Sequence, residues 1–383
     1  MLRLGIIGAG GIASLHTHNI LSGKCPEVQL TAMADRKESR REWIRATVPD
    51  AAVFCEGSDL IASDTCDAVL IATPHYQHPT LAIEAFRHGK HVLCEKPAGV
   101  YTLQVRDMIA EADKHPELTF GMMFNQRTNC VYRKAKALID SGALGEIKRM
   151  IWGVTDWYRT QSYYDAGAWR ATWDGEGGGV LLNQCPHQLD LLQWLCGLRA
   201  ACHEGKWHDI EVEDDVTAYL EFANGATGTF IASTGDALGE NRLEIIGTRA
   251  RIRIENDQLT LDTLSVDERD WCPVCKEPFG VPDIQHEIVQ TDGENPQHAG
   301  VLNAFAAHIL HGTPLVADGR EGIRGLMLSN AMHLSSWTNQ TVSLPIDEEL
   351  FLKLLNEKRR TSRHKDEVDA AIDVSGSFGS TRK

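Results

Sequence analysis

The chain has no apolar run near the ~18 residues that a membrane span needs. Its first residues, Met1-Leu2-Arg3-Leu4-Gly5-Ile6-Ile7, lack the basic start and the ~7–15-residue apolar core of a secretory signal. Basic charge is scarce: 38 Lys and Arg stand against 53 Asp and Glu, a net charge of −15. Such a chain repels a phosphate backbone, so neither nucleic acid nor a membrane is an expected partner. Ten cysteines are scattered without a disulfide framework or an export signal, and are expected as reduced thiols in a cytoplasm. No Ser-His-Asp order, phosphate-binding lysine loop or internal repeat stands out. What remains is ordinary globular composition, 43% hydrophobic and 24% charged. At roughly 150 residues per domain, 383 residues suggest two or three domains.

Short apolar runs at 2–7, 28–34, 51–55, 67–72, 91–95 and 118–124 read as six strands. Helical segments lie between them. Ser58 is expected to cap a short turn over 59–62, and Pro79 to open a helix that Gly89 ends. Strands alternating with helices predict βαβ units, hence an α/β domain with a doubly wound parallel sheet over 1–124.

Gly8-Ala9-Gly10-Gly11-Ile12-Ala13 sits where the first strand turns into the first helix and fits G-x-G-x-x-A. Gly8 permits the tight turn, and Gly10 lets a pyrophosphate approach the backbone. Ala13 lets the helix pack closely, with its N-terminus facing the anion. Asp35 follows at the end of the second strand, where a carboxylate accepts from an adenosine ribose and repels a 2′-phosphate. That favours NAD. Arg36, with Arg40 and Arg41 one turn on, keeps NADP as the alternative, because an arginine there binds a 2′-phosphate or stacks on adenine.

The second domain is expected over 125–360. A helix at 131–139 and a strand at 146–157 precede an irregular stretch, 158–179. That stretch holds Tyr158, Arg159, Tyr163, Tyr164, Trp169, Arg170 and Trp173. Aromatic faces alternating with arginine suit the faces and hydroxyl edges of a sugar ring, while the plainer reading is a loop pinned by its aromatics. Gly177-Gly178-Gly179 ends the loop. A helical pattern then runs from Val180 to Leu195 with Pro186 inside, so the helix starts near Asn183 or kinks there. Either way His187 lies near an irregular helix start, and Asn183, His187 and Asp190 share one face. From Asp214 the pattern is antiparallel, with a hairpin turn at Asn224-Gly225. Residues 265–295 read as a loop, 296–310 and 319–337 as helices, and 361–383 as a disordered tail.

Glu95-Lys96-Pro97 ends the fifth strand, on the side where ligands bind open parallel sheets. Lys96 points toward the nicotinamide end of a cofactor, and the Lys96-Pro97 bond is a candidate cis bond. Burial and like charge would depress the Lys96 pKa.

The glycine run at 8–13, Asp35, Thr73-Pro74 with His78, Glu95-Lys96-Pro97, and Gly177-Gly178-Gly179 through His187 to Asp190 together resemble one family, that of glucose–fructose oxidoreductase, inositol dehydrogenase and MocA. The resemblance spans roughly residues 1–350. It implies a Rossmann domain joined to an α+β domain with a large open, mostly antiparallel sheet. It implies homodimers or homotetramers formed through that sheet, and oxidation of a ring carbon of a sugar, glycoside or cyclic polyol. It makes Lys96 and His187 the catalytic pair and Thr73-Pro74 the lining of the nicotinamide ribose. Substrate contacts are expected from Asn183, Asp190, Tyr158, Arg159, Trp169 and Arg170. Cofactor contacts are expected from Gly8, Gly10, Gly11, Ile12, Ala13, Asp35, Arg36, Thr73, Pro74, His78, Glu95 and Lys96.

One residue departs from the family pattern: Asn183 stands where many members carry aspartate four before the histidine. Asparagine holds no charge against an imidazolium, so Asp190 becomes a candidate orienting carboxylate, with a structural role equally open. Cys272 and Cys275 have half the spacing of a zinc site but no second close pair, so no metal is expected. His16 and His18 read as structural. Two other functions stay open: a redox-assisted glycosidase or lyase that retains NAD, and a non-catalytic sensor of sugar and NAD.

Overall fold

A computed structural model describes residues 1–157, 159–165, 167–195, 199–277 and 280–363. The first third alternates β1 (Leu2–Ile7), α1 (Gly11–Leu21), β2 (Val28–Ala34), α2 (Glu38–Thr47), β3 (Ala52–Phe54), α3 (Gly57–Ala62), β4 (Ala68–Ile71), α4 (His78–Arg87), β5 (His91–Cys94), α5 (Thr102–Ala112) and β6 (Phe120–Met122). The six strands pair in parallel in the order β3-β2-β1-β4-β5-β6. Leu4, Ile6, Val69, Leu70, Ile71, Val92 and Leu93 are fully buried, as expected of a parallel sheet covered on both faces. Strand order reverses between β1 and β4, which opens a crevice above the carboxyl ends of the strands.

The chain continues through α6 (Cys130–Asp140), β7 (Ile147–Val154), α7 (Gln161–Asp165), a wide π turn (Val180–Gln184), α8 (Pro186–Leu195), β8 (Arg199–Gly205), β9 (Asp215–Glu221), β10 (Thr227–Ser233), β11 (Asn241–Gly247), β12 (Ala250–Glu255), β13 (Gln258–Leu264), α9 (Glu268–Trp271) and β14 (Ile284–Ile288). Its eight-stranded sheet has the order β14-β13-β12-β11-β7-β10-β9-β8 and is antiparallel except where β10 meets β7. On β9, Val216, Ala218 and Leu220 are buried while Thr217, Tyr219 and Glu221 face out, the alternation that the sequence carries. One face packs on α6 and α8 through residues such as Val131, Leu189 and Phe230. The other leaves Ile151, Tyr219 and Ile231 exposed.

Three late helices, α10 (Gln297–His311), α11 (Gly322–Thr338) and α12 (Glu348–Arg360), cross back toward the first sheet. Val301, Leu302 and Phe305 of α10 share a core with Leu4, Ile6 and Met33. Leu328 and Met332 of α11 join the core of the second sheet, while Leu334 of α11 and Phe351 and Leu355 of α12 join that of the first. No helix among the described residues is long and apolar enough to cross a membrane.

Local expectations differ from the structure in four places. Ser58 does not cap α3; its hydroxyl donates to Glu84 at 2.8 Å, and Glu56 is the cap residue. Strand β14 lies within the stretch read as loop, because a fully exposed edge strand shows no alternation. Strand β8, at the other edge of the sheet, is a second element without a sequence expectation. Helix α12 was missed although Asp347 caps it and accepts from the Leu350 amide at 2.9 Å. Tyr158 and residues 364–383 lie outside the described residues.

Candidate active site

At the carboxyl end of β1 the backbone turns at Gly8 with φ +93°, and a Cβ there would lie 2.6 Å from the Ala72 carbonyl oxygen. Gly8 is therefore required by both conformation and space. Gly10 begins α1 without a side-chain cap, and a Cβ on it would meet nothing within 4 Å. Open space beside Gly10 and an uncapped helix start are what an anion site needs. Asp35 accepts from the Ala9 amide at 2.8 Å and the Lys37 amide at 2.9 Å, which fixes its carboxylate against the glycine turn. Arg40 bonds the Ala9 carbonyl at 2.6 Å and the Ser14 hydroxyl at 3.1 Å, and lies over Trp43 at 4.6 Å. Arg36 points away and pairs with Glu56 at 2.9 Å. The Thr73 hydroxyl, after β4, is buried without a hydrogen-bond partner. An uncapped helix start, a fixed carboxylate and an orphaned hydroxyl along one crevice fit a dinucleotide.

Two expected cofactor contacts are used differently. His78 is buried, and its ring nitrogens face the Pro97 and Thr73 carbonyls, each at 2.7 Å. Burial favours the neutral ring, so its one N–H donates to one of these carbonyls while the other nitrogen lies against the second loop, and neither faces open space. Glu95 is buried as well, bonded to His16 Nε2 at 2.7 Å and to the Lys96 amide at 3.1 Å. Burial pushes its carboxyl up, but the His16 hydrogen bond and charge outweigh this and hold it at about 2. Both residues position Lys96. The Lys96-Pro97 bond is cis.

Lys96 Nζ reaches across to the second half of the chain and donates to the Asn183 carbonyl at 2.7 Å. Burial lowers its pKa; Glu95 opposes this and Arg170 adds to it. The π turn that carries Asn183 is fixed by Glu213. The Glu213 carboxylate accepts from the Gly179 amide at 3.0 Å and the Leu181 amide at 2.9 Å, and its carbonyl from the Val180 amide at 2.9 Å. A Cβ on Gly179 would fall 1.8 Å from the Glu213 carbonyl oxygen, so this glycine is a close-approach residue. Pro186 then opens α8, where its missing N–H costs nothing.

His187 lies in the first turn of α8, 4% exposed, and neither ring nitrogen has a hydrogen-bond partner. Buried polar groups are nearly always paired, so both nitrogens of this imidazole remain open to a further partner. Burial, with Lys96 and His298, holds it well below its ordinary pKa, so it stands neutral at pH 7. Asp190 does not orient it. Its carboxylate is taken bidentately by Arg127 at 2.8 and 2.6 Å, and Arg127 also meets Glu321 at 3.0 Å. The expected substrate contact at Asp190 is thereby corrected: its position on the helix face is right, but a buried arginine occupies it.

A carboxylate does reach Asn183, from the loop. Glu176 is buried and accepts both the Asn183 side-chain amide and, at 2.6 Å, the Ala171 amide. The Tyr163 hydroxyl accepts from Arg170 at 2.7 Å, Gln184 at 3.3 Å and Asn183 at 3.4 Å. Trp169 meets the buried His75 edge-on at 5.3 Å, and the Arg170 guanidinium lies 4.5 Å from the Trp169 ring and 4.4 Å from that of Tyr163. Arg159 stands over the same tyrosine at 5.3 Å. The structure thus brings Lys96, Asn183, Trp169 and Arg170 together, with His187 one helical turn beyond Asn183. Glu176, Glu213, Arg127 and His16 were not anticipated as shaping the site, and of these only Glu176 had a signal, its place directly before three glycines. Arg127 and Asp190 are 63 residues apart, and no local spacing announces such a pair.

Cys272 is exposed and Cys275 half-buried, both as free thiols. Among the described residues no group of three His, Cys, Asp or Glu is placed to hold a metal ion.

Known proteins resemble the chain in sequence and fold. The chain is 23% identical over 355 residues to myo-inositol 2-dehydrogenase of Thermotoga maritima, covering 90% of this chain and 98% of that one. It is 24% identical over 356 residues to inositol 2-dehydrogenase of Rhizobium meliloti, covering 90% and 99%. Among solved structures, the WlbA dehydrogenase of Bordetella pertussis, in complex with NADH and UDP-GlcNAcA, superposes with a TM-score of 0.76 at 26% identity, covering 90% of this chain and 99% of that one. Levoglucosan dehydrogenase in complex with NADH superposes equally well at 19% identity and shares the fold. Residues 2–122 match the oxidoreductase family's NAD-binding Rossmann fold and residues 132–253 its C-terminal domain, so the chain belongs to the Gfo/Idh/MocA family of oxidoreductases.

Proposed function

We propose that the protein is an NAD-dependent dehydrogenase acting on a ring secondary alcohol of a sugar, glycoside or cyclic polyol. Residues 1–124 hold the cofactor, and residues 125–360 hold the substrate and mediate assembly. The observation that carries this reading is the buried, unpartnered imidazole of His187 near Lys96. His187, neutral at pH 7, takes the hydroxyl proton from the substrate. Lys96 is fixed by the Asn183 carbonyl and retains N–H donors for the same oxygen, where it stabilises developing alkoxide. When bound, the nicotinamide supplies the redox chemistry. Gly8, Gly10 and the first turn of α1 hold the pyrophosphate, Asp35 the adenosine ribose, and Thr73 with Pro74 the nicotinamide ribose.

The exposed Ile151, Tyr219 and Ile231 on the open sheet support a homodimer or homotetramer formed through that face. Free thiols suit a cytoplasmic setting.

A screen of the full chain with NAD and NADP against monosaccharides, glycosides and inositols tests the reading through NADH absorbance. Net NADH formation with a sugar or cyclitol is expected. Cleavage of a glycoside without net NADH would replace it with the redox-assisted glycosidase.

A further inference from the structure

We propose that the substrate carries an anionic group and that Arg170 receives it. This rests on the dehydrogenase reading above and narrows its substrate class to acidic sugars or cyclitols.

Several arginines elsewhere in this acidic chain pair with carboxylates, among them Arg106 with Glu348, Arg127 with Asp190 and Arg320 with Asp113. Arg170 makes no ion pair among the described residues. It is half-buried, held by two aromatic rings and by one hydrogen bond to the Tyr163 hydroxyl at 2.7 Å. That hydroxyl also accepts from Asn183, whose carbonyl holds Lys96. One side chain therefore separates the guanidinium from the groups that fix the catalytic lysine.

The two buried acids nearby are engaged elsewhere. Glu95 holds His16 and the Lys96 amide, and Glu176 holds Asn183 and the Ala171 amide. Lys96 feels Arg170 as a like charge and Glu95 and Glu176 as opposite ones, so the two cations stand near each other beside acids already engaged. A chain of net charge −15 gains nothing in solubility from an unpaired cation in a partly dry cleft. A fixed fork of N–H donors stacked between rings is suited to an oxyanion, whether carboxylate or phosphate.

The test uses the full-length enzyme with NAD and three matched arms: hexuronic acids, hexose phosphates, and the parent neutral hexoses and inositols. We expect one anionic arm to exceed its neutral parent in kcat/KM by about ten- to hundredfold, as a charge-assisted hydrogen bond implies. Which arm wins distinguishes carboxylate from phosphate. Arg170→Gln should bring that ratio close to one, and Arg170→Lys should restore part of it. A neutral sugar turned over as well as its acids overturns the anionic substrate and leaves the dehydrogenase intact. If no arm forms NADH, the dehydrogenase reading fails by itself, and calorimetric titration of the same acids into wild type and Arg170→Gln decides the site. Loss of anion binding in Arg170→Gln supports it, and equal binding overturns it.

Discussion

The cofactor end and the substrate end of the crevice are built on opposite plans. At the cofactor end most charged and ring groups are tied close by, with the Thr73 hydroxyl left unpartnered. Asp35 is tied to the glycine turn, Arg36 to Glu56, and His78 to the loops beneath it. At the substrate end the support comes from far along the chain, as with Glu213 under the π turn and Arg127 under Asp190. The groups facing the cleft there, His187 and Arg170, lack the partners their burial or charge calls for. The difference separates holding from reacting. A cofactor that stays in one pose is served by a pre-paired cradle, whereas a reacting substrate needs groups whose hydrogen bonds are still to be made.

The largest effect should come from removing the remote support of the substrate end. Arg127→Met strands the Asp190 carboxylate in the interior and should cost about 3–5 kcal/mol of stability. The denaturation midpoint should fall accordingly, and an unchanged midpoint would mean the pair is not structural.

His187→Ala and Lys96→Ala come next. Each should lower turnover by about a hundredfold or more while NAD affinity, measured by fluorescence titration, stays nearly intact. Loss of NAD binding with turnover would erase the distinction between the two ends. Glu176→Gln places an amide donor against the Asn183 amide and should lower kcat about tenfold, with the fold preserved by circular dichroism. The mirror experiment is Asp35→Asn, which should weaken NAD about tenfold and narrow the gap to NADP without changing kcat at saturation.

The smallest effect is on pH. The folded His187 pKa lies below its ordinary value, so its basic form persists as pH falls past ~6.5. The acid limb of kcat/KM should therefore lie below that pH. A limb above it would assign the base elsewhere.

The cofactor end was the more legible in the sequence. Its strands are continuous apolar runs, and Gly8, Asp35 and Lys96 each stand at a strand end, where topology alone places them together. The substrate end was legible only in part. The irregular helix start before His187 followed from Pro186 and the aromatic loop from its composition, but the burial of His187 did not follow. The role of Asp190 did not follow, because helix spacing shows which residues share a face but not what packs against it. Edge strand β14 escaped for the same reason that β9 was found: alternation is written only where one face is buried.

By itself the sequence determined the parallel sheet, the dinucleotide turn and NAD over NADP as the expected cofactor. These rest on short-range rules: periodicity, turn conformation and the spacing of a few residues. Tertiary structure alone decided that Glu176 brings the carboxylate that Asn183 lacks, that Arg127 removes Asp190 from the chemistry, and that Arg170 is left without a counter-charge. Burial and pairing are properties of the assembled chain. A charge becomes costly, or available, only once its neighbours from distant segments have been placed.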